Sequence, residues 1–307
     1  MKHQQVSVYF LLIILPFWMV VVARASIIAD TESTDPSKAE ILLDGLDDAR
    51  FVRLSALDHL FIVETGRNRI IKTDKNGVRI DSVGRLGSGD YQFDLPVAID
   101  PTNELKIYIA DRNNRRIQVF DRRLQYLSTI RLPHRTGLPS RYQPMKLTVD
   151  SSGRIYFFDE DRHVVYRFDS NGHYELDFEL FSEEERITPV SMTILDDEIW
   201  VAGRRGDLLH RFTTRGSYIG FIYAPEPVRA LRSSGGNLWM LGNERVIRLS
   251  SAGNVLFAEN LPRTFYSVTG QQRRLQQQPA EWLSFDIGDD TIYLLSSNVL
   301  ARIPKQE

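Results

Sequence analysis

Ile107-Tyr108-Ile109-Ala110 decides the fold, because this short β-branched and aromatic run keeps returning along the chain. Leu60-Phe61-Ile62-Val63 stands before it. Ile155-Tyr156-Phe157-Phe158, Ile199-Trp200-Val201-Ala202, Leu238-Trp239-Met240-Leu241 and Ile292-Tyr293-Leu294-Leu295 follow, with starts 39 to 54 residues apart. Such runs, punctuated by Asp, Asn and Gly, are what half-buried antiparallel strands need. A repeat in the forties fits the four-stranded blade of a β-propeller.

Outward from this run, the second unit reads as four strands: Val97 to Asp100 innermost, Lys106 to Ala110, Ile117 to Phe120, and Tyr126 to Ile130 outermost. The third unit repeats the plan, with turns Asp150-Ser151-Ser152-Gly153 and Asp169-Ser170-Asn171-Gly172 whose Asn and Gly accept positive φ. Pro96, Pro144, Pro189, Pro227 and Pro279 each stand just ahead of an innermost strand. Proline fixes φ and lacks an N–H, so it ends the connection between blades before the ladder begins.

Six innermost strands are expected, near Phe51, Val97, Met145, Val190, Val228 and Trp282, and the last unit ends one strand short. Glu40-Ile41-Leu42-Leu43 can supply the missing outer strand and close the ring, removing an exposed edge. The fold class is therefore all-β, a six-bladed β-propeller closed by an N-terminal strand that completes the last blade. Seven blades is the alternative if the insertion near residue 270 hides further strands.

Residues 1–25 read as a signal peptide: Lys2 and His3, the apolar stretch Val6 to Val22, then Ala23-Arg24-Ala25 as a small-x-small cleavage site. An uncleaved membrane anchor is the rival reading, opposed by Pro16 within the run. Residues 26–39 read as a flexible leader and 40–307 as one propeller domain. The expected location is extracytoplasmic, periplasmic or secreted. Loss of Lys2 and Arg24 leaves 36 basic and 40 acidic side chains, a formal charge of −4, which disfavours nucleic acid as a partner. With no cysteine, disulfides, thiolate metal sites and cysteine nucleophiles are all excluded.

Tyr108 to Asp121 contains Asp111, Asn114, Arg116, Ile117 and Phe120 in a D-x-x-N-x-R-I-x-x-F pattern that resembles the NHL repeat. The first unit is close, with Glu64 in place of the Asp and Arg69 before Ile70, while the third keeps Asp159, Val165 and Phe168. As motif the resemblance spans residues 49–170 only. It implies a six-bladed propeller that serves most often as a binding platform, with a few lyases among its members. Asp111, Asn114, Arg116, Glu64 and Arg69 are expected to tie loops and neighbouring blades by charge-assisted hydrogen bonds rather than to do chemistry.

Ligands of propellers approach the face carrying the loops between second and third strands and between blades. Lys146 and Arg229, each two residues past its proline, are expected at corresponding points facing a central funnel, joined by Arg50 or Arg53. Such a cationic funnel suits a carboxylate or phosphate; the competing expectation is that these charges pair with acids of adjacent blades. His134, Arg135, His163, Arg273 and Arg274 are candidate rim residues, and the insertion 262–280 is a candidate lid or a polar connection. The histidines do not form a three-ligand metal set, so neither a metal site nor a cofactor is assigned, with calcium on backbone oxygens near the axis left open. No catalytic residue is assigned, and no phosphate loop, nucleophile elbow or metalloprotease motif occurs. The function expected is non-enzymatic binding of a protein, peptide or anionic glycan in the cell envelope; the alternative is a metal-dependent hydrolase or lyase, lactonase-like or peptidyl-lyase-like.

Overall fold

The computed structural model describes residues 38–101, 104–132, 142–182, 184–205, 207–262, 264–267, 275–276 and 281–305. Strand β1 (Lys38–Leu43) precedes the first blade, which comprises β2 (Ala49–Leu54), β3 (His59–Glu64), β4 (Arg69–Asp74) and β5 (Arg79–Val83). Blade two is β6 (Pro96–Asp100), β7 (Ile107–Asp111), β8 (Arg116–Phe120) and β9 (Tyr126–Ile130); blade three is β10 (Pro144–Val149), β11 (Ile155–Asp159), β12 (Val164–Phe168) and β13 (Tyr174–Glu179). Blade four is β14 (Pro189–Leu195), β15 (Glu198–Gly203), β16 (Leu208–Thr213) and β17 (Tyr218–Tyr223). Blade five is β18 (Ala230–Ser234), β19 (Asn237–Leu241), β20 (Arg245–Leu249) and β21 (Val255–Asn260). Two short strands, β22 (Thr264–Ser267) and β23 (Leu275–Gln276), come before the last set, β24 (Ser284–Ile287), β25 (Thr291–Leu295) and β26 (Leu300–Pro304). Among the described residues there is no helix.

Five sheets are four-stranded meanders, and the sixth carries β1 antiparallel beside β26, with Glu40 opposite Arg302 and Ile41 opposite Ala301. The ring therefore closes as the sequence predicts. β1 begins at Lys38, two residues inside the stretch read as leader, and Ala39 is fully buried. The insertion near residue 270 does hold strands, yet they make no seventh blade: β22 lies parallel to β1 and β23 pairs with β22, so both extend the outer edge of blade six. In the described part, the insertion is thus an edge extension and not a lid.

The core lies between blades, because each sheet is apolar on both faces near the axis. Six separate clusters fill the six interfaces, as where Ala110 and Ile117 of blade two meet Leu147 and Phe157 of blade three. Each four-stranded sheet alone would leave such a face wet, so the blades hold together only as a ring. The Asp-led turns work as read: Asp74 Oδ1 accepts from the backbone N–H groups of Asn76 and Val78, at 2.9 and 2.8 Å, while Gly77 takes φ 82°.

The innermost strands have one free edge each, facing the axis, and side chains of the neighbouring blade satisfy it. Ser284 Oγ accepts from Val52 N–H and Asp286 Oδ2 from Leu54 N–H; Asp100 Oδ2 accepts from Val149 N–H, and Ser191 Oγ from Leu231 N–H. Unpaired backbone groups at the axis would each be costly, which explains the polar residues in otherwise apolar strands.

Candidate functional site

Strand register defines rings of equivalent residues around the axis. Phe51, Ala98, Lys146, Ser191, Ala230 and Ser284 each pair with the last apolar residue of the second strand, respectively Val63, Ala110, Phe158, Ala202, Leu241 and Leu295. Two residues further along each strand lie Arg53, Asp100, Thr148, Thr193, Arg232 and Asp286. In β2, β6, β10 and β14 the register shifts between the first and third residues, leaving Arg50, Val97, Met145 and Val190 as bulges at the loop end.

Lys146 and Arg229 are therefore not at corresponding points. Pro144 pairs in the ladder with Asp159 and is followed by the bulge, whereas β18 starts only at Ala230, so Arg229 sits one step nearer the loop face. Both still line one cavity of about 350 Å3, together with Arg50, Asp48, Ser191 and Ser284. This cavity is the funnel on the loop-bearing face. Its apolar wall includes Val97, Met145, Val190 and Met192.

Arg53 does not belong to the funnel. It lines a second cavity of about 570 Å3 at the other end of the axis, with Ser55, Asp58, Ser233 and Asp286. Its Nε stands 3.2 Å from Asp286 Oδ2. Burial works against its charge, but Asp100 and Asp286 outweigh burial and raise its pKa.

Between the two cavities lies a residue that motif reading does not single out. Arg232 is almost wholly buried, donates to Leu231 C=O at 2.7 Å and to Ser284 Oγ at 2.9 Å, and stacks its guanidinium over Phe51 with 4.4 Å to the ring centroid. Among the described residues it makes no ion pair, and its Nε has no hydrogen-bond partner. Burial first, then repulsion from Arg53, pushes its pKa down to about 9 against the pull of Asp286 and Asp100. Counting register from Lys146 would have found it, since it occupies the same ring as Arg53.

Charge compensation divides the funnel cations. Arg50 pairs with Asp48 at 2.9 Å, and Arg229 pairs with Glu281 at 2.6 Å while donating to Asn243 Oδ1. Lys146 is half-buried and, among the described residues, has neither a hydrogen-bond nor an ion-pair partner. Burial and then Arg232 push its pKa down to about 8; Arg50 adds to this and Glu160 opposes it. Glu160 is itself held by Arg112 at 2.9 Å. Lys146 is thus a cation without an anionic partner among the described residues, standing over the buried cation Arg232, in a cavity open to the loop face.

The other candidates lie elsewhere. His163 sits in the turn between β11 and β12 at φ 58°, with Nδ1 3.3 Å from Thr188 Oγ1 and its ring edge-on to Phe158, off the funnel lining. His134, Arg135, Arg273 and Arg274 fall outside the described residues, as does the segment 1–25. Among the described residues no group of three or more His, Asp or Glu side chains is placed to hold a metal ion.

The repeat-motif residues form a tie between blades. Asp111 is fully buried; its Oδ1 accepts from Asp94 N–H at 2.8 Å and its Oδ2 from Asn114 and Arg116. Arg116 then reaches the carbonyls of Ser88, Gly89 and Gln92, pinning the loop that joins blades one and two. Glu64 does the same with Asp47 N–H, Arg67 and Arg69. In blade five the carboxylate comes from the linker: Glu226 accepts from Glu244 and Arg245, and Gly242 leaves the room a side chain would fill.

No protein-family model and no curated protein matches this sequence, so the NHL resemblance rests on the motif alone. Solved structures do match in shape. A catalytically inactive variant of virginiamycin B lyase from Staphylococcus aureus superimposes with TM-score 0.56 at 17% identity, over 83% of this chain and 80% of that one. A gluconolactonase from Xanthomonas campestris gives TM-score 0.62 at 14% identity, over 87% and 89%. A luciferin-regenerating enzyme gives 0.60 at 11% identity, over 87% and 94%. At these identities the likeness shows a shared propeller fold and no more.

Proposed function

We propose that this protein is a non-enzymatic recognition module of the cell envelope, whose funnel takes a carboxylate or similar acidic group of a protein, peptide or glycan. The observation that carries this reading is Lys146, a funnel-lining cation without a protein partner among the described residues, above the buried and ion-pair-free Arg232. Two unneutralised cations stacked on one axis repel each other, and an anion entering the funnel relieves that repulsion. Charge-assisted hydrogen bonds of this kind contribute about 1.5–3 kcal/mol each. The −4 charge on the chain outside residues 1–25 makes this a local rather than a general attraction for anions.

The competing reading is a lyase or lactonase, since enzymes with those names stand among the fold neighbours. Isothermal titration separates a recognition site from an empty channel. A peptide with a free C-terminal carboxylate should bind, and both its C-terminal amide and the Lys146→Met protein should lose roughly tenfold or more in affinity. Equal binding of acid and amide, or of both proteins, would exclude the funnel as the recognition site.

A further inference from the structure

Of the described lysine side chains, Lys72, Lys75, Lys106 and Lys305 all donate to protein oxygens, whereas Lys146 faces a cavity. We propose that Lys146 forms a reversible imine with the carbonyl group of a ligand that also carries an acidic group, a 2-oxo carboxylate being the simplest member of the class. This rests on the anion-binding reading of the funnel and adds the chemistry of what is captured.

Three features of the site argue for it. The amine is accessible, because the cavity of about 350 Å3 opens to the loop face and has room for a small organic acid. Its surroundings favour the neutral form that attacks carbonyls. Arg232 lies beneath it and Arg50 beside it, and of the acids in reach Asp48 is engaged by Arg50, Glu281 by Arg229 and Glu160 by Arg112. A lysine in that position holds its proton weakly, the usual route by which proteins make this side chain a nucleophile. Finally, the wall beside the amine is apolar, formed by Met145, Val97 and Val190, which disfavours the water that would hydrolyse an imine. Arg232 is fixed by Ser284, Leu231 and the Phe51 ring, and it supplies the positive field for the ligand's carboxylate.

The step balances without any further reactant. Lys146 gives its proton to water, the Nζ lone pair forms the C–N bond as the C=O π bond opens, and the carbonyl oxygen leaves as water after taking one proton from the nitrogen and one back from the hydronium ion, which leaves the imine protonated. The product is the imine plus one water, and the reverse reaction releases the ligand intact.

The test uses the whole protein with pyruvate as probe and sodium cyanoborohydride to reduce any imine to a stable carboxyethyl-lysine, followed by peptide mapping at pH 7, 8 and 9. The expected result is labelling of Lys146 roughly tenfold or more above any other lysine, the advantage of an amine whose pKa lies near 8 rather than 10.5. Lactate has the same carboxylate and no carbonyl, so excess lactate should suppress the label. The Lys146→Arg protein keeps the charge but has no amine to form the imine, and should show no enriched site. Labelling spread evenly over the lysines would overturn the inference. Lactate binding that depends on residue 146, without preferential labelling, would overturn it and leave the anion-binding reading standing. Labelling of Lys146 that lactate does not suppress would keep the imine and overturn the anion-binding reading.

Discussion

Arg302 Nε donates to Glu40 Oε2 at 2.7 Å across 262 residues of sequence, clasping strand β1 to strand β26. The contact sits at the first pair of the β1–β26 ladder, where Glu40 faces Arg302, followed by Ile41 facing Ala301. Among the described strands, the other five sheets are built from consecutive strands, whereas this one joins β1 to β26.

Closure can be tested by cross-linking, which is clean in a chain without cysteine. The double substitution Ile41→Cys and Ala301→Cys should form a disulfide on mild oxidation and raise the melting temperature. Its chain-entropy contribution reaches about 5 kcal/mol for so long a loop, and reduction should remove the gain. Failure of the pair to oxidise in folded protein would contradict the register.

Blade architecture was legible in the sequence because local signals set it: the Asp-led turns, the β-branched runs and the prolines agree with one another. The closing strand was legible from an accounting of strands. The equivalence of Lys146 and Arg229 misled, because distance from a proline is not register; Pro144 lies inside its ladder and Pro227 lies outside any strand. Arg53 misled for a related reason, since three residues down a strand carry a side chain to the other end of the axis. The edge pairing of β22 with β1 had no local signal at all, because parallel partners far apart in sequence leave no turn between them.

Removing the funnel lysine should not destabilise the protein. Lys146 is held below its ordinary pKa, at about 8 against 10.5. Between those values the unfolded chain binds more protons than the folded one, so stability rises with pH across that window. Below pH 8 the folded state carries the full penalty of a desolvated charge near Arg232. Chemical denaturation should show Lys146→Met at least as stable as the native protein at pH 7, with the native protein gaining up to about 3 kcal/mol on the variant between pH 8 and pH 10. A large loss of stability in the variant at pH 7 would make Lys146 a structural residue.

Acid sensitivity should come from the opposite face. Glu104 is almost fully buried and takes hydrogen bonds from Ser55 and His59 and an ion pair from Lys72 at 3.4 Å. Burial raises its pKa, and these partners together lower it further than burial raises it. Its contribution is therefore present above the normal carboxylate range and is lost as pH falls through the lowered value. Glu104→Gln should cost about 3–5 kcal/mol at pH 7, because Lys72 is left buried without its anion, and should flatten the acid limb of stability against pH.

Two glycines at the same place in adjacent blades should behave differently. A Cβ at Gly242 would stand 1.8 Å from Glu226 Oε1, forcing that carboxylate off the backbone of Glu244 and Arg245, whereas a Cβ at Gly203 meets nothing nearer than 3.5 Å. Gly242→Ala should lose about 1–3 kcal/mol by thermal denaturation and Gly203→Ala should be close to neutral.

Metal content separates the two function classes. On the binding reading, exhaustive dialysis against EDTA should leave the melting temperature unchanged and elemental analysis should find no stoichiometric zinc or calcium. One tightly held divalent ion per chain would instead favour the lyase or lactonase reading.

The central claim is that the funnel is built around Lys146, unpartnered among the described residues, which receives an anion, and the direct measurement is a crystal structure of the protein grown in malonate. The account predicts a carboxylate within hydrogen-bonding distance of Lys146 Nζ, with Arg50 still on Asp48 and Arg229 still on Glu281. A funnel holding only water, or Lys146 turned onto a carboxylate of the protein itself, would contradict it.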